Sequence, residues 1–548
     1  MTDGSSAKSS LALRKRWAGL LAAGAEPVLR VGLLATYTID SIVPYAGVRL
    51  HEWGLPAELV VGPYNQIVQQ CLGDTSEMGR LRPDVLVVAP RFEELAAHGD
   101  GVDLLMAVEA AKAAAARWQA ALVVALPAIP EHRPYGVGDA GRADGVVAMA
   151  ESVRGRLRAG LAGRPNVHLV DVEQVIRTVG AAQAHRPAMY QVARVPYSEQ
   201  VFDQLAWQLV RVLRLRYGGS PGLVVVDADG FSAHDDPAVC LTALADQLTQ
   251  LRRAGVRLAV RGSGEPAHLW SAVAGELPEL GADPRVKWIA GQAGVAEQCA
   301  ALRAEWALPS GRPVVLTVDT GLADSLDDSV GCVLLGGEPG LWPTEMLASW
   351  ELDLIPPGLD ADTSWGGSVV EDLPLPDAEK VTHGWNSLGE FIDGLQVNVS
   401  FRDLPGGLDA ETEELVARAH DFTLGTAAAP HEPAPGEAGY AIAAEVTDRL
   451  GDYGTSAVAV VRCVDGVCHV EVFSVSCPAL GRGVEDAVLE EIVARAARHE
   501  CRGVVIGYRE TTRNQIAVHF LRGAEARDWG SSSEGGIKLQ TVHHGDAA

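Results

Sequence analysis

Between residues 28 and 217, short apolar runs alternate with longer segments whose apolar positions recur every three to four residues. Runs of the first kind predict buried strands, here 28–34, 85–88, 121–126 and 167–172; segments of the second kind predict helices, here 102–119 and 199–217. This alternation predicts a parallel sheet with helices on its faces. A Gly-Gly-Ser-Pro-Gly stretch at 218–222 punctuates the chain, and a second series begins. Its expected strands are 223–226, 257–260, 286–289, 313–318 and 331–335. Its expected helices are 237–254, 267–274 and 295–305. That is a doubly wound α/β pattern.

After residue 355 the pattern stops. Residues 355–380 and 427–439 are rich in Pro and Gly or Ala without periodicity, and read as connections. Around the second lie expected strands at 396–401, 440–446, 455–461 and 469–476 and a helix at 411–420. A helix over 484–499, a strand over 503–508 and a helix over 514–521 complete an α+β unit. The expected plan is a tail (1–27), two α/β units (28–217 and 218–350), a linker (351–395), the α+β unit (396–530) and a mobile tail (531–548).

The chain has 548 residues, too many for one hydrophobic core. Its net charge of −26 repels a phosphate backbone and argues against nucleic acid as a partner. An acidic protein partner would need a basic patch, for which Arg211, Arg214 and Arg216, or Arg252 and Arg253, are candidates. No apolar run reaches the roughly 18 residues of a membrane span, and no apolar leader follows a basic start. The eight cysteines are scattered. Cys463 and Cys468 have four residues between them, with no second pair or His cluster nearby, so they read as free thiols in a reducing cytoplasm rather than a zinc site.

Three stretches carry candidate chemistry. Asp227-Ala228-Asp229 ends an apolar strand, where open α/β sheets place their sites. Carboxylates spaced i, i+2 there can divide two tasks. Asp227 can attack phosphorus and ligate Mg²⁺, and Asp229 can act as acid and base on the leaving oxygen. The plainer reading is a strand end whose aspartates cap a turn. Ser263, after the second strand, is a candidate phosphate ligand, and Asp319 a third metal ligand. The second stretch, Cys477-Pro478-Ala479-Leu480-Gly481-Arg482-Gly483-Val484-Glu485, follows a strand and opens a helix. Glycines at a helix N-terminus let a phosphate or pyrophosphate approach the backbone N–H groups, so Gly481, Arg482 and Gly483 are candidate ligand-binding residues. Cys477 is a candidate acyl-holding nucleophile; a strand-end cysteine is more often a small buried hydrophobe. The third stretch is Thr511-Thr512-Arg513-Asn514 ahead of the last helix.

In domain order these stretches resemble the FkbH-like family, over roughly residues 28–530. The Asp-x-Asp resembles the first motif of the HAD superfamily. The Gly481–Gly483 loop is similar to the GNAT acetyltransferase loop that grips coenzyme A, and Asn514 matches a late GNAT position near the thioester. Thr36-Tyr37-Thr38, Gly62-Pro63-Tyr64-Asn65-Gln66 and Ala193-Arg194-Val195-Pro196-Tyr197-Ser198 resemble the family's SGNH-hydrolase-like region. The resemblance implies an SGNH-like N-terminal domain, a HAD-like Rossmannoid central domain and a GNAT-like C-terminal domain. It implies transfer of an acyl group, ancestrally glyceryl from 1,3-bisphosphoglycerate, to the phosphopantetheine thiol of an acyl carrier protein in polyketide-type biosynthesis. Mg²⁺ would sit on Asp227, Asp229 and Asp319, and the phosphopantetheine arm or a CoA thioester would be substrate.

Several positions depart from the pattern. Phe231 stands where a Thr or Val is usual, Gly262 falls where the motif-two Ser or Thr belongs, and 294–296 lack the motif-three lysine, with Lys287 nearby. Thr320 replaces a second motif-four aspartate, with Asp324 as a substitute. In the first unit Ser41 lacks the Gly-Asp-Ser setting, and Asp171-Val172-Glu173-Gln174 has no His three residues on, so a non-catalytic binding domain is expected there. The alternative function is an inert HAD unit with a GNAT-like acyltransferase or carrier-binding role.

Overall fold

The computed structural model describes residues 3–24, 26–73, 75–95, 101–164, 166–231, 243–262, 286–290, 294–308, 311–336, 338–354, 394–405, 407–419, 422–425, 438–448, 451–476, 479–511, 514–525 and 538–543. Ser263, Cys477 and the expected helix 267–274 lie outside them, as does most of the expected linker.

The first unit is a parallel sheet of β1 (Leu29–Ala35), β2 (Ala57–Val61), β3 (Val85–Ala89), β4 (Ala121–Leu126) and β5 (Val167–Asp171), in the order β2-β1-β3-β4-β5. Every residue of β3 and β4 is buried, as a sheet covered on both faces requires. Leu33 and Leu34 of β1 point into different cores, following the two-residue strand period. One core packs helices Ile42–Glu52 and Glu199–Gly218, the other Val102–Trp118 and Val146–Leu161. The edge strand β2 is not predicted from its sequence, because four of its five residues are only partly buried or exposed. Within the N-terminal stretch, which reads from its sequence as a frayed tail or one short helix, residues Asp3–Ala22 form a helix. The Trp17 ring lies so close that a Cβ on Gly47 would meet it at 2.4 Å.

The second unit contains β6 (Leu223–Asp227), β7 (Arg257–Gly262), β8 (Val286–Ala290), β9 (Val314–Thr317) and β10 (Gly331–Leu334), all parallel, in the order β10-β9-β6-β7-β8. Residues 351–354 belong to this unit rather than to a linker, since Leu352 and Leu354 pack on its core. Arg214 of the first unit lies 4.9 Å from the Trp53 ring and 4.3 Å from the Trp350 ring, and donates to Glu351 at 3.3 Å. Arg211 Nε donates to Asp353 at 2.6 Å. Arg211 and Arg214, two of the five arginines named as candidates for an acidic partner, therefore hold the first two units together.

Leu395 returns to the core of the first unit before the third begins. The third sheet runs β11 (Asn398–Asp403), β13 (Ala438–Asp448), β14 (Gly451–Val464), β15 (Val467–Val475), β16 (Gly503–Tyr508) and β17 (Lys538–His543), with β12 (Thr423–Leu424) paired to β15. Pairing is antiparallel as far as β15; β16 and β17 then add in parallel. Helix Val484–Arg498 makes the crossover from β15 to β16 and buries Val484, Val488, Leu489 and Ile492. β17 lies inside the expected C-terminal tail and corrects it: its alternating partly buried and exposed residues pair along the whole of β16.

β15 and β16 pair only over Val467–Val470 and Gly503–Ile506. Beyond that point β12 enters the gap. Thr423 and Leu424 pair with Ser474 and Phe473, and the Gly425 N–H donates to the Gly507 carbonyl at 2.7 Å. Gly425 has φ +119°, and a Cβ there would sit 2.0 Å from the Glu471 carbonyl oxygen. Gly425→Ala is therefore expected to cost at least about 1–3 kcal/mol and to expel β12. Hydrogen exchange checks this: the residue 425 amide should be protected in the parent and exchange freely in the variant.

Candidate active site

Asp227 is the last residue of β6 and is 3 % exposed. β6 lies between β7 and β9, the point where the strand order reverses, so the carboxyl ends of β6 and β9 border the crevice typical of such sheets. Thr317, ending β9, donates its hydroxyl to Asp227 Oδ2 at 2.8 Å and accepts the Asp319 N–H at 3.0 Å. Asp319 Oδ1 accepts the Gly321 N–H at 2.8 Å and so caps the short helix Thr320–Ser325. Arg261 stands beside Asp227 in the β6–β7 register, its Nη1 3.5 Å from Oδ1. A Cβ on Gly230 would lie 2.8 Å from Asp227 Oδ2 and one on Gly262 3.3 Å from Asp229 Oδ1, so both glycines leave the carboxylates room. Burial raises the Asp227 pKa, while the Thr317 bond and Arg261 oppose that rise.

Asp227 ends β6, Asp229 follows two residues on and Asp319 lies two residues beyond the end of β9, with Asp229 and Asp319 exposed. Carboxylate oxygens are the donors Mg²⁺ takes, usually one or two at a time, but among the described residues these three do not cluster closely enough to hold one ion together. Lys287 does not serve this site. It lies in register with Ala259 and binds Glu305 at 2.6 Å. The cation at the site is Arg261, two residues before Ser263, which sequence reasoning passed over. Its signal in the sequence is a charged residue directly after the apolar run Leu258, Ala259 and Val260. Phe231 departs from the usual motif because it is core: fully buried, it stacks on Trp342 with ring centres 5.0 Å apart.

The first sheet has a polar cluster at its own reversal point, between β1 and β3. The Thr36 hydroxyl accepts the Arg91 N–H at 3.0 Å. Arg91 Nη1 donates to Glu94 at 2.6 Å and Tyr190 donates to the same oxygen at 2.8 Å. The Arg91 and Glu94 side chains are only 8 % and 4 % exposed. Burial raises the Glu94 pKa against the pull of Arg91. Ser41 precedes helix Ile42–Glu52 without a side-chain cap, and Asp171 is held by Arg154 and Arg158.

In the third unit Gly481 (φ +72°) and Gly483 (φ +82°) adopt the left-handed conformation that favours glycine. The Gly481 N–H donates to Glu485 at 2.6 Å, and Gln66 of the first unit lies 3.2 Å from where a Gly481 Cβ would be. Arg482 is 5 % exposed, pairs with Asp448 and lies 4.8 Å from the Tyr453 ring centre. Burial raises the Glu485 pKa. Asn514 organises a local turn: Oδ1 accepts from the Thr511 N–H and hydroxyl, and Nδ2 donates to the Arg509 carbonyl. Arg482 lines a small cleft of about 30 Å³ shared with the first unit, whose walls include Thr36, Asn65, Gln69 and Asp103 and the apolar Ile67 and Met106. Sequence reasoning assigned Arg482 and Gly481 to a ligand; here an aspartate and a glutamate of the chain hold them.

No family model matches the chain, and no curated protein does. Among solved structures, the N-terminal part of BF1531 from Bacteroides fragilis, containing a phosphatase domain complexed with Mg, is 14 % identical, covers 60 % of this chain and 94 % of its own, and has a TM-score of 0.49. A lipolytic-type protein of the G-D-S-L family from Desulfitobacterium hafniense DCB-2 is 11 % identical, covers 33 % and 98 %, and scores 0.23. Scores this low carry no fold assignment; the α/β class rests on the two parallel sheets themselves. Among the described residues, no helix is long and apolar enough to cross a membrane.

Proposed function

We propose that this chain is an acyltransferase of FkbH-like type that loads an acyl group onto the thiol of an acyl carrier protein, and that Asp227 removes a phosphate from that group. The observation that supports this reading best is the buried Asp227 at the sheet reversal, set between the Thr317 hydroxyl and Arg261. Two transfers complete the reaction. The carrier thiol attacks the carbonyl carbon of an acyl phosphate; the C–S bond forms, the C–O bond to phosphate breaks, and the thiol proton passes to solvent. The Asp227 carboxylate attacks a phosphate monoester on the same group; the ester P–O bond breaks, Asp229 protonates the leaving oxygen, and water hydrolyses the aspartyl phosphate. Thr317 orients the nucleophile, and Arg261 neutralises charge on the transferring phosphoryl group. Of Asp227, Asp229 and Asp319, one or two at a time would hold Mg²⁺, which when bound supplies further neutralisation of the phosphate.

The mouth of the cleft that Arg482 lines between the first and third units is the proposed approach of the phosphopantetheine arm. Glu485 now accepts the N–H that a phosphate would take. Because its pKa is raised, the carboxyl gains a proton as pH falls through that value and its charge leaves the loop. CoA affinity, measured by calorimetry, is therefore expected to rise as pH falls toward the raised value, and Glu485→Gln should abolish most of that dependence.

A second reading makes the central site inert and puts all transfer in the third unit; it is favoured by the engagement of both Asp227 oxygens. The two readings part on a pair of variants. If Asp227→Asn leaves product unchanged while Gly483→Trp abolishes it, the central site is not the working one.

A further inference from the structure

The hairpin of β14 and β15 turns at Asp465 and Gly466, which have φ of +51° and +74°. A two-residue turn of this kind sets the residues beyond it in direct opposition, and Cys463 faces Cys468 across the strands. Their sulfurs are 2.7 Å apart. A third thiol arrives from far along the chain. Helix Val484–Arg498 ends beside the hairpin, the Cys501 N–H donates to the Ala496 carbonyl, and the Arg502 N–H donates to the Gly466 carbonyl at the hairpin turn. That places Cys501 beside both other cysteines: the three sulfurs all lie within 4.8 Å of one another, and the Cys501 thiol donates to the His499 carbonyl at 3.7 Å. Cys468 is fully buried and Cys501 7 % exposed, while Cys463 is half-buried.

We propose that Cys463, Cys468 and Cys501 form a three-thiolate site for a borderline-soft divalent cation of the Zn²⁺ class. Three sulfurs on one tetrahedral cation at about 2.3 Å stand roughly 3.8 Å apart, a spacing inside the 4.8 Å within which these three sulfurs lie. The four-residue spacing of the first two is also that of zinc ligand pairs. A disulfide between Cys463 and Cys468 would use two sulfurs, leave the third buried beside them, and require an oxidant. Binding one cation turns three thiols into thiolates and releases their three protons to solvent. The fourth position opens on the half-buried Cys463 side, for water or an external ligand. The site would tie the hairpin tip to the end of the crossover helix and so brace the sheet edge that carries β16 and β17.

The test uses the full-length protein, reduced, stripped of metal and titrated with Cd²⁺ alone. An ultraviolet thiolate-to-cadmium band should saturate at one equivalent, and Zn²⁺ should displace it. Cys501→Ser should weaken binding by about 10–100-fold with an unchanged circular dichroism spectrum, whereas Cys71→Ser and Cys299→Ser should change nothing. Should Cys501→Ser fold poorly, the parent protein still decides: Zn²⁺ must protect Cys463 from alkylation, read by peptide mass. Lack of a stoichiometric band, a band indifferent to Cys501 and Cys463, absence of protection, or isolation of the protein with a Cys463–Cys468 disulfide that binds no metal would each overturn the proposal.

Discussion

Asp227→Asn is expected to lower phosphate release from a phosphorylated acyl substrate by about 10³–10⁴-fold, because it removes the nucleophile of the phosphoryl transfer while preserving volume. Loading of the carrier thiol should persist, so the acyl group should reach the carrier with its phosphate still attached. Arg261→Met should act on the same step less severely, since a cation bound at the site would still neutralise charge. The Asp227 environment explains the sign. Its carboxyl is buried and faces one hydroxyl and one guanidinium. Asn keeps the Thr317 partner but not the charge that attacks phosphorus. Colorimetric phosphate release measures the effect; an unchanged rate would remove Asp227 from the mechanism.

Arg91→Met should destabilise the folded chain by about 3–5 kcal/mol, the usual consequence of leaving one half of a buried ion pair behind. For a unit of this size that is a melting shift on the order of 10 °C. The group left behind is Glu94, whose side chain is 4 % exposed. Its folded-state pKa is already raised by burial and should rise further without Arg91. The folded state then holds the extra proton, so the variant should gain stability as pH falls from the raised value toward the ordinary glutamate pKa and lose it as pH rises. Arg91→Met with Glu94→Gln should recover much of the loss and flatten the pH dependence. Thermal unfolding of the three proteins at pH 5 and pH 8 checks both the size and the sign.

What could be read from sequence follows a physical division. Strands such as β3 and β4 are buried on both faces, so they appear as unbroken apolar runs. Helix Val295–Glu305 and strand β16 fall on their expected limits for similar reasons. Edge elements were not legible. β2 and β17 bury little, and the two-residue β12 gains its identity only from the gap it fills between β15 and β16. The candidate site divides the same way. Asp227, Asp229 and Asp319 belong to short local motifs. Arg261, the Arg91–Glu94 pair and the Glu485 acceptor became visible only when tertiary structure set them beside their partners. The thiol cluster is the sharpest case, because Cys501 is 33 residues from Cys468 in the chain and its neighbour in space.

The central claim is carrier loading coupled to phosphate removal at Asp227. Intact-mass spectrometry of a phosphopantetheinylated acyl carrier protein, incubated with the enzyme, Mg²⁺ and a phosphorylated acyl phosphate such as 1,3-bisphosphoglycerate, tests it most directly. The predicted result is a carrier bearing the dephosphorylated acyl group with the parent enzyme, and a species heavier by one phosphoryl group with Asp227→Asn. An unmodified carrier, or the same mass from both enzymes, would contradict it.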